Sequence, residues 1–282
     1  MLHVSDLHFG PPAVPEAVEA IEAHIQAARY DVVVVSGDLT QRARSGEFQR
    51  ARVFLREAGR VSQVIVVPGN HDVAWWRSPL YVRGSDCIYG PYRRFIGPEL
   101  EPVLRMPGAT LVGINTAQGV SLRTLTWNLR DISIIGDLRR EQLEHARAAF
   151  AASPLGDLRA VVMHHNPVKG EISRRCGLKH SAWVLEQLVS MGVELLFCGH
   201  DHQEAVHYLE RTGSGIVVST AGTVSDRSRG GRPPSVNALR VEREGIEART
   251  LCWSSSEGTL VESASYRFPR RSAVADLSQV RK

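Results

Sequence analysis

Asp6 and His8, Asp38, Asn70, His164, and His200 with His202 form five short clusters spread along the chain. Together they offer carboxylate and amide oxygens and imidazole nitrogens without a thiolate. That set suits Mn, Fe, Zn or Ni and not a Cys-rich structural zinc site. Seven donors are too many for one ion. Two ions about 3.5–4 Å apart, sharing one bridging carboxylate and one bridging hydroxide, would use them all. Alternate side chains of an extended segment point the same way, so each of the pairs Asp6/His8 and His200/His202 is expected to face a common centre.

The elements that must position these groups read as follows. Leu2 to Ser5 is a strand, and Pro15 to Arg29 a helix with Val18, Ile21 and Ile25 at helical spacing. Val32 to Val35 is a β-branched strand, Glu47 to Ala58 a helix, and Val64 to Val67 a third strand, giving βαβαβ with buried parallel strands. From Ala74 to Pro107, prolines and glycines predict an irregular excursion beside the site. Strands are expected at 110–114, 160–163, 193–198, 216–220, 235–241 and 246–253, and helices at 138–152 and 181–190. Every donor cluster falls just past a strand's C-terminal end, the edge where ligands bind in open α/β sheets.

Asp6-Leu7-His8, Gly37-Asp38, Gly69-Asn70-His71-Asp72, His164 in Met163-His164-His165-Asn166-Pro167, and Gly199-His200-Asp201-His202 resemble, in order, the five motifs of the calcineurin-like metallophosphoesterase superfamily. The Ser36-Gly37-Asp38-Leu39-Thr40 segment and the overall length look most like its bacterial cyclic-nucleotide-phosphodiesterase-like branch. The resemblance implies an α/β fold, a four-layer sandwich of two mixed β-sheets flanked by helices, with a dinuclear centre between the sheets. It implies one metal held by Asp6, His8, Asp38 and His202, and a second by Asp38, Asn70, His164 and His200, with Asp38 bridging.

The chemistry of the residues agrees. Two divalent or mixed-valence ions (Mn, Fe or Zn) would make a bridging hydroxide available near neutral pH and stabilise the charge that develops during in-line attack. His71, not needed for coordination, is placed to protonate the leaving alkoxide as general acid. Asp72 either orients His71 or caps the turn. His165, next to His164, should point elsewhere and support the site or the fold, and Asp201 between two ligands should point outward or back up the ligands from behind. Arg42 could reach a substrate phosphate, a solvated loop being the plainer reading. Asp137 reads as a helix N-cap, and Trp75 and Trp76 as packing beneath the excursion.

The chain has 282 residues, of which 43% are hydrophobic and 23% charged, a globular balance that excludes wholesale disorder. No apolar run approaches a membrane span. The net charge of +4 is matched by the basic C-terminus alone, where Arg267, Arg270, Arg271, Arg281 and Lys282 face only Asp276. The organisation expected is a metallophosphoesterase domain over 1–263 and a basic tail over 264–282. The body is therefore balanced, which disfavours nucleic acid as partner, although Arg227, Arg229 and Arg232 form a basic cluster. Four widely spaced cysteines and no secretory signal point to the cytoplasm. The expected activity is hydrolysis of a small phosphodiester, a 3',5'-cyclic nucleotide being the candidate the resemblance favours. The alternatives are a pyrophosphatase acting on a nucleotide-diphosphate lipid precursor and, in a different class, an inactive phosphoesterase-fold scaffold that binds proteins. Oligomeric state is not legible.

Overall fold

The structure, a computed structural model, describes residues 1–78, 80, 82, 84–120, 134–211 and 214–270. Leu2–Val4 (β1), Val32–Val35 (β2) and Gln63–Val66 (β3) pair in parallel, joined by helices Pro15–Ala28 (α1) and Ser45–Ala58 (α2). Pro15 opens α1, where its missing amide would have had no partner. The chain continues through Ser85–Phe95 (α3), Val103–Met106 (β4), Ala109–Ile114 (β5), Arg140–Ala151 (α4), Leu158–His165 (β6), Ser181–Ser190 (α5) and Leu195–Gly199 (β7). Ala205–Arg211 (β8), Ser214–Thr220 (β9), Ser235–Val241 (β10), Gly245–Ser254 (β11) and Thr259–Pro269 (β12) complete it.

Among the described residues two six-stranded mixed sheets result, ordered β12-β11-β10-β1-β2-β3 and β4-β5-β6-β7-β9-β8. Alternation along each strand divides its side chains between two apolar layers. Val33 and Val35 of β2 pack with Ile21, Ile25, Phe48 and Phe54 of α1 and α2, whereas Val32 and Val34 join Val162 and Phe197 between the sheets. On the far side Val161 and Met163 meet Phe150 and Leu188 of α4 and α5. This is the α/β four-layer sandwich of two mixed sheets flanked by helices that the motifs imply.

Several boundaries differ from the sequence reading. The stretch 74–107 is not irregular throughout, for it holds α3 and β4. Buried Ile88, Tyr89 and Tyr92 supply packing that outweighs Gly90 and the Pro91 inside the helix. Asp137 is not a helix N-cap: α4 starts at Arg140, and the amide of Arg139 donates to Gln142 Oε1 (2.8 Å). A boundary after residue 263 would cut β12, and Arg270 beyond it forms a buried, two-pronged ion pair with Glu194 (Nη2–Oε1 2.9 Å, Nε–Oε2 3.2 Å). The rest of the expected tail, 271–282, lies outside the described residues. Among the described residues no helix is long and apolar enough to cross a membrane.

A polar seam crosses the layer between the sheets. The His3 ring on β1 bridges Ser219 Oγ of β9 (2.9 Å from Nδ1) and Ser36 Oγ (2.9 Å from Nε2), and it lies edge-on to Phe197. Asn237 on β10 adds bonds to Ser219 Oγ and Thr220 O, both 3.0 Å. Burial pushes His3 down to about 3, against the weaker opposing pull of Asp6. A neutral buried base of this kind makes the unfolded chain the better proton acceptor below its ordinary value of 6.5. His3 should therefore contribute a loss of unfolding free energy as pH falls from about 6.5 towards about 3, on the order of 1 kcal/mol per pH unit. Urea unfolding across that range should show a shallower pH slope in His3→Gln than in wild type; an unchanged slope would contradict the assignment.

Candidate metal centre

The C-terminal ends of β1, β2 and β3 in one sheet face those of β6 and β7 in the other, and all seven predicted donors meet there. Single ligating atoms of Asp6, His8, Asp38 and His202 all lie within 4.8 Å of one another. His202 Nε2 is 3.2 Å from Asp6 Oδ1 and 3.1 Å from His8 Nε2. Asn70 Oδ1 gathers a second group, 3.2 Å from His164 Nε2 and 3.1 Å from His200 Nδ1. Asp38 Oδ2 stands between the groups, 3.8 Å from His8 Nε2 and 3.3 Å from His164 Nε2.

The backbone reaches this convergence by leaving the extended conformation. Asp6, His8, Asp38, His200 and His202 all have positive φ, between 44° and 71°. Such a conformation costs an L-residue roughly 1–2 kcal/mol and collects at functional sites. The Asp6–His8 and His200–His202 pairs therefore converge through left-handed turns, not through the extended alternation that their spacing suggested. Glycine lets the loops touch: a Cβ on Gly69 would lie 2.2 Å from Asp38 N and Oδ1, and one on Gly199 would lie 2.3 Å from Asp6 Oδ2. The turns are then pinned. Thr223 Oγ1 donates to Asp6 O (2.8 Å), and the amides of His71 and His200 donate to Asp38 Oδ1 (2.8 Å) and Asp6 Oδ2 (3.0 Å).

These groups fit metal ions on their own chemistry. His164 Nδ1 donates to Ser36 O (2.8 Å) and His202 Nδ1 to Arg227 O (3.1 Å), so in the neutral rings each Nε2 turns a lone pair towards carboxylate oxygens. That arrangement is repulsive until positive charge lies between them. Asp6 Oδ1 and His8 Nδ1 are buried without a hydrogen-bond partner. Burial alone would raise Asp6 and Asp38, but the surrounding imidazoles hold both well below the usual carboxylate range. Burial, followed by the repulsion of His164, lowers His200 to about 3. His164 shows the opposite balance: Asp38, with Asp6, overcomes the lowering by burial and raises it to about 9. A proton on His164 does part of what a cation would do.

The other predicted residues take distinct places. His71 is not part of either donor group: its Nδ1 donates to Gln41 O (2.7 Å), and its ring packs edge-on against His8. Asp72 caps the turn and does not orient the His71 ring. Its carboxylate accepts the amides of Leu39, Thr40 and Gly69 (3.1, 2.8 and 2.9 Å) and so ties the Asp38 loop to the Asn70 loop. Burial and then Asp38 push Asp72 up to about 7. His165 turns its Nδ1 to Thr116 Oγ1 (2.8 Å), yet its ring centroid lies 4.6 Å from that of His200, so it backs the second donor group closely. Arg42 is exposed in a cleft with Arg44, Arg77 and Trp76, next to the Gln41 carbonyl that holds His71. Trp75 packs against the core, whereas Trp76 is 49% exposed and does not. Of the two places open to Asp201, outward or behind the ligands, its burial and its contact with Arg229 fit the second. Sequence reasoning missed Arg227 as a site residue. Its Nη1 donates to Gln41 Oε1 (3.0 Å) and lies 3.3 Å from His71 Nε2, and no local motif marks it.

A calcineurin-like phosphoesterase family model matches residues 1–204. A probable cyclic nucleotide phosphodiesterase of Synechococcus sp. is 23% identical over 268 residues, covering 90% of this chain and 92% of that protein. Among solved structures, the purple acid phosphatase from yellow lupin (Lupinus luteus) seeds superposes with a TM-score of 0.65 at 11% identity, over 97% of this chain but only 54% of its own. GAP50, the anchor in the inner membrane complex of Plasmodium, gives a TM-score of 0.59 at 14% identity over 99% and 93% of the two chains. At these identities the likeness is one of fold.

Asp38→Asn should remove the charge common to both donor groups. Elemental analysis of manganese-loaded protein should give about two ions per chain for wild type and at most about one for the variant. Added Mn²⁺ should raise the melting temperature of wild type much more than that of Asp38→Asn. Equal metal content and equal shifts would contradict the shared role of Asp38.

Proposed function

Because the chain belongs to the calcineurin-like phosphoesterase family, we propose that it hydrolyses a phosphodiester, with a 3',5'-cyclic nucleotide as the first substrate to test. One observation carries the reading: Asp38 Oδ2 lies between two groups of buried donors, 3.8 Å from one and 3.3 Å from the other. Asp6, His8, Asp38 and His202 would hold one divalent ion and Asp38, Asn70, His164 and His200 the other. Manganese, iron and zinc all suit these oxygens and imidazoles. When bound, the pair would lower the pKa of a water molecule and neutralise phosphoryl oxygens. The probable cyclic nucleotide phosphodiesterase of Synechococcus sp., 23% identical to this chain, supports the choice of cyclic nucleotide. A cytoplasmic setting accords with four free thiols.

The chain's own residues do the rest. The carbonyls of Ser36 and Arg227 accept from Nδ1 of His164 and His202 and so aim each Nε2 at the centre, where it would ligate a bound ion. Asp72 keeps the Asp38 and Asn70 loops in register through its bonds to three amides. His71 is oriented by Gln41 O at Nδ1, which leaves Nε2 to carry the proton for the departing alkoxide. A water-derived oxygen bonds to phosphorus, the ester P–O bond breaks as the His71 proton arrives, and the leaving group departs as an alcohol.

Manganese-loaded protein should hydrolyse bis(p-nitrophenyl) phosphate and a 3',5'-cyclic nucleotide; metal-loaded protein inert towards every phosphoester tried would overturn the reading in favour of a binding scaffold. His71→Ala should keep both ions yet lose kcat by about 100-fold or more on alkyl diesters. Its loss on p-nitrophenyl esters, whose leaving group needs no proton, should be much smaller. Equal losses on the two ester types would remove His71 from the acid role.

A further inference from the structure

We propose that Arg227 is a further catalytic residue, whose guanidinium binds a non-bridging phosphoryl oxygen of the substrate as P–O cleavage proceeds; the proposal rests on the phosphoesterase reading above. Arg227 lies outside the 1–204 segment that the family model matches, in the loop between β9 and β10. That loop is built into the centre. Thr223 Oγ1 donates to Asp6 O (2.8 Å) and stands 2.7 Å from Ser225 Oγ, which accepts the amide of Arg227 (3.3 Å). The Arg227 carbonyl in turn receives His202 Nδ1. The backbone of Arg227 thus serves a candidate ligand, while its side chain is left for another task.

The nearby arginines show what a structural guanidinium looks like here. Arg229 Nε donates to Asp201 O (2.8 Å) and lies 3.7 Å from Asp201 Oδ1. Arg232 binds Glu204 through Nη1 and Glu171 through Nη2 (3.1 and 3.2 Å). Arg227 has no carboxylate partner among the described residues. Its Nη1 rests on Gln41 Oε1 and His71 Nε2, and its Nε and Nη2 have no acceptor among those residues. Arg227 is exposed at the mouth of the centre with its guanidinium uncommitted to any carboxylate among the described residues, so an arriving anion can take it without displacing a counter-charge. A guanidinium offers paired N–H groups that match two oxygens of a phosphate.

The position fits the reaction. His71 Nε2 is the atom that gives its proton to the leaving oxygen, and a donor 3.3 Å from it falls within the width of one phosphoryl group. As substrate enters, Arg227 exchanges His71 Nε2 for a phosphoryl oxygen, and the freed Nε2 takes up from solvent the proton that it will transfer. A water-derived oxygen then bonds to phosphorus, the ester P–O bond breaks, and its electron pair leaves with the oxygen that takes the His71 proton. Arg227 neither gains nor loses a proton; it stabilises the charge that grows on the equatorial oxygens.

Arg227→Ala should keep the wild-type metal content, because the carbonyl that holds His202 is unchanged, and should lose kcat/KM on bis(p-nitrophenyl) phosphate by about 100-fold. Guanidinium chloride should restore about tenfold of that loss in Arg227→Ala and nothing in wild type. Arg227→Lys, which keeps the charge without the fork, should fall between the two. Calorimetric binding of inorganic phosphate to the manganese-loaded protein should weaken about tenfold in Arg227→Ala. A variant within about threefold of wild type in rate and in phosphate affinity would overturn the proposal. So would a rate loss that tracks metal loss and resists guanidinium. If wild type itself hydrolyses no ester, the functional reading fails, while phosphate binding still reports on Arg227.

Discussion

The interaction on which the rest of the structure depends is the crowding of two buried carboxylates, one amide oxygen and four imidazoles at the mouth between two sheets. Asp6 and Asp38 are essentially inaccessible to water, and desolvating a carboxylate is costly unless positive charge or hydrogen bonds compensate. Amides of His71 and His200 supply part of that compensation. The surrounding imidazoles supply the rest, although His164 and His202 have committed their Nδ1 protons to carbonyls on the outside of the cluster. What remains is an inward ring of lone pairs. A pair of divalent cations would answer that electrostatic demand, and Asp38 and Asp6 already draw a proton to His164 in the same sense.

The fold keeps this unfavourable cluster assembled through strain and support. Five of the seven donors sit in left-handed turns. Gly69 and Gly199 bring backbone against Asp38 and Asp6 where any side chain would intrude. Asp72 binds two loops into one unit, Glu47 at the start of α2 accepts the amides of Arg42 and Arg44 (2.8 and 3.2 Å), and the Thr223–Arg227 loop locks Asp6 and His202 from the other sheet edge. Behind them the apolar layers and the His3–Ser219–Asn237 seam hold the sheets face to face. The site is thus preorganised by parts of the chain far apart in sequence.

Much of this was legible because it depends on local pattern. The βαβαβ start is written in the valine run at 32–35 and in the helical spacing of Val18, Ile21 and Ile25, and the donors announce themselves as short motifs after strands. Features that depend on tertiary context were not legible. Nothing local marks α3, whose Gly90 and Pro91 argue against a helix that Tyr92 and Ile88 secure by burial. The exposed alternation of β12 looked like a tail because its support is β11 on one side and the Glu194–Arg270 pair beyond its end. The left-handed backbone of Asp6 and His8 could not be inferred from a spacing that suits an extended strand equally well. Arg227 was one arginine among three until the structure showed Arg229 and Arg232 already engaged.

The central claim is that two cations belong at this mouth with Asp38 between them. Its most direct test is an anomalous difference map from crystals grown with manganese and measured at the manganese edge. Two peaks about 3.5–4 Å apart are predicted, one beside Asp6, His8 and His202 and one beside Asn70, His164 and His200, with the Asp38 carboxylate touching both. A map with no peak, or with a single peak that Asp38 does not contact, would contradict it.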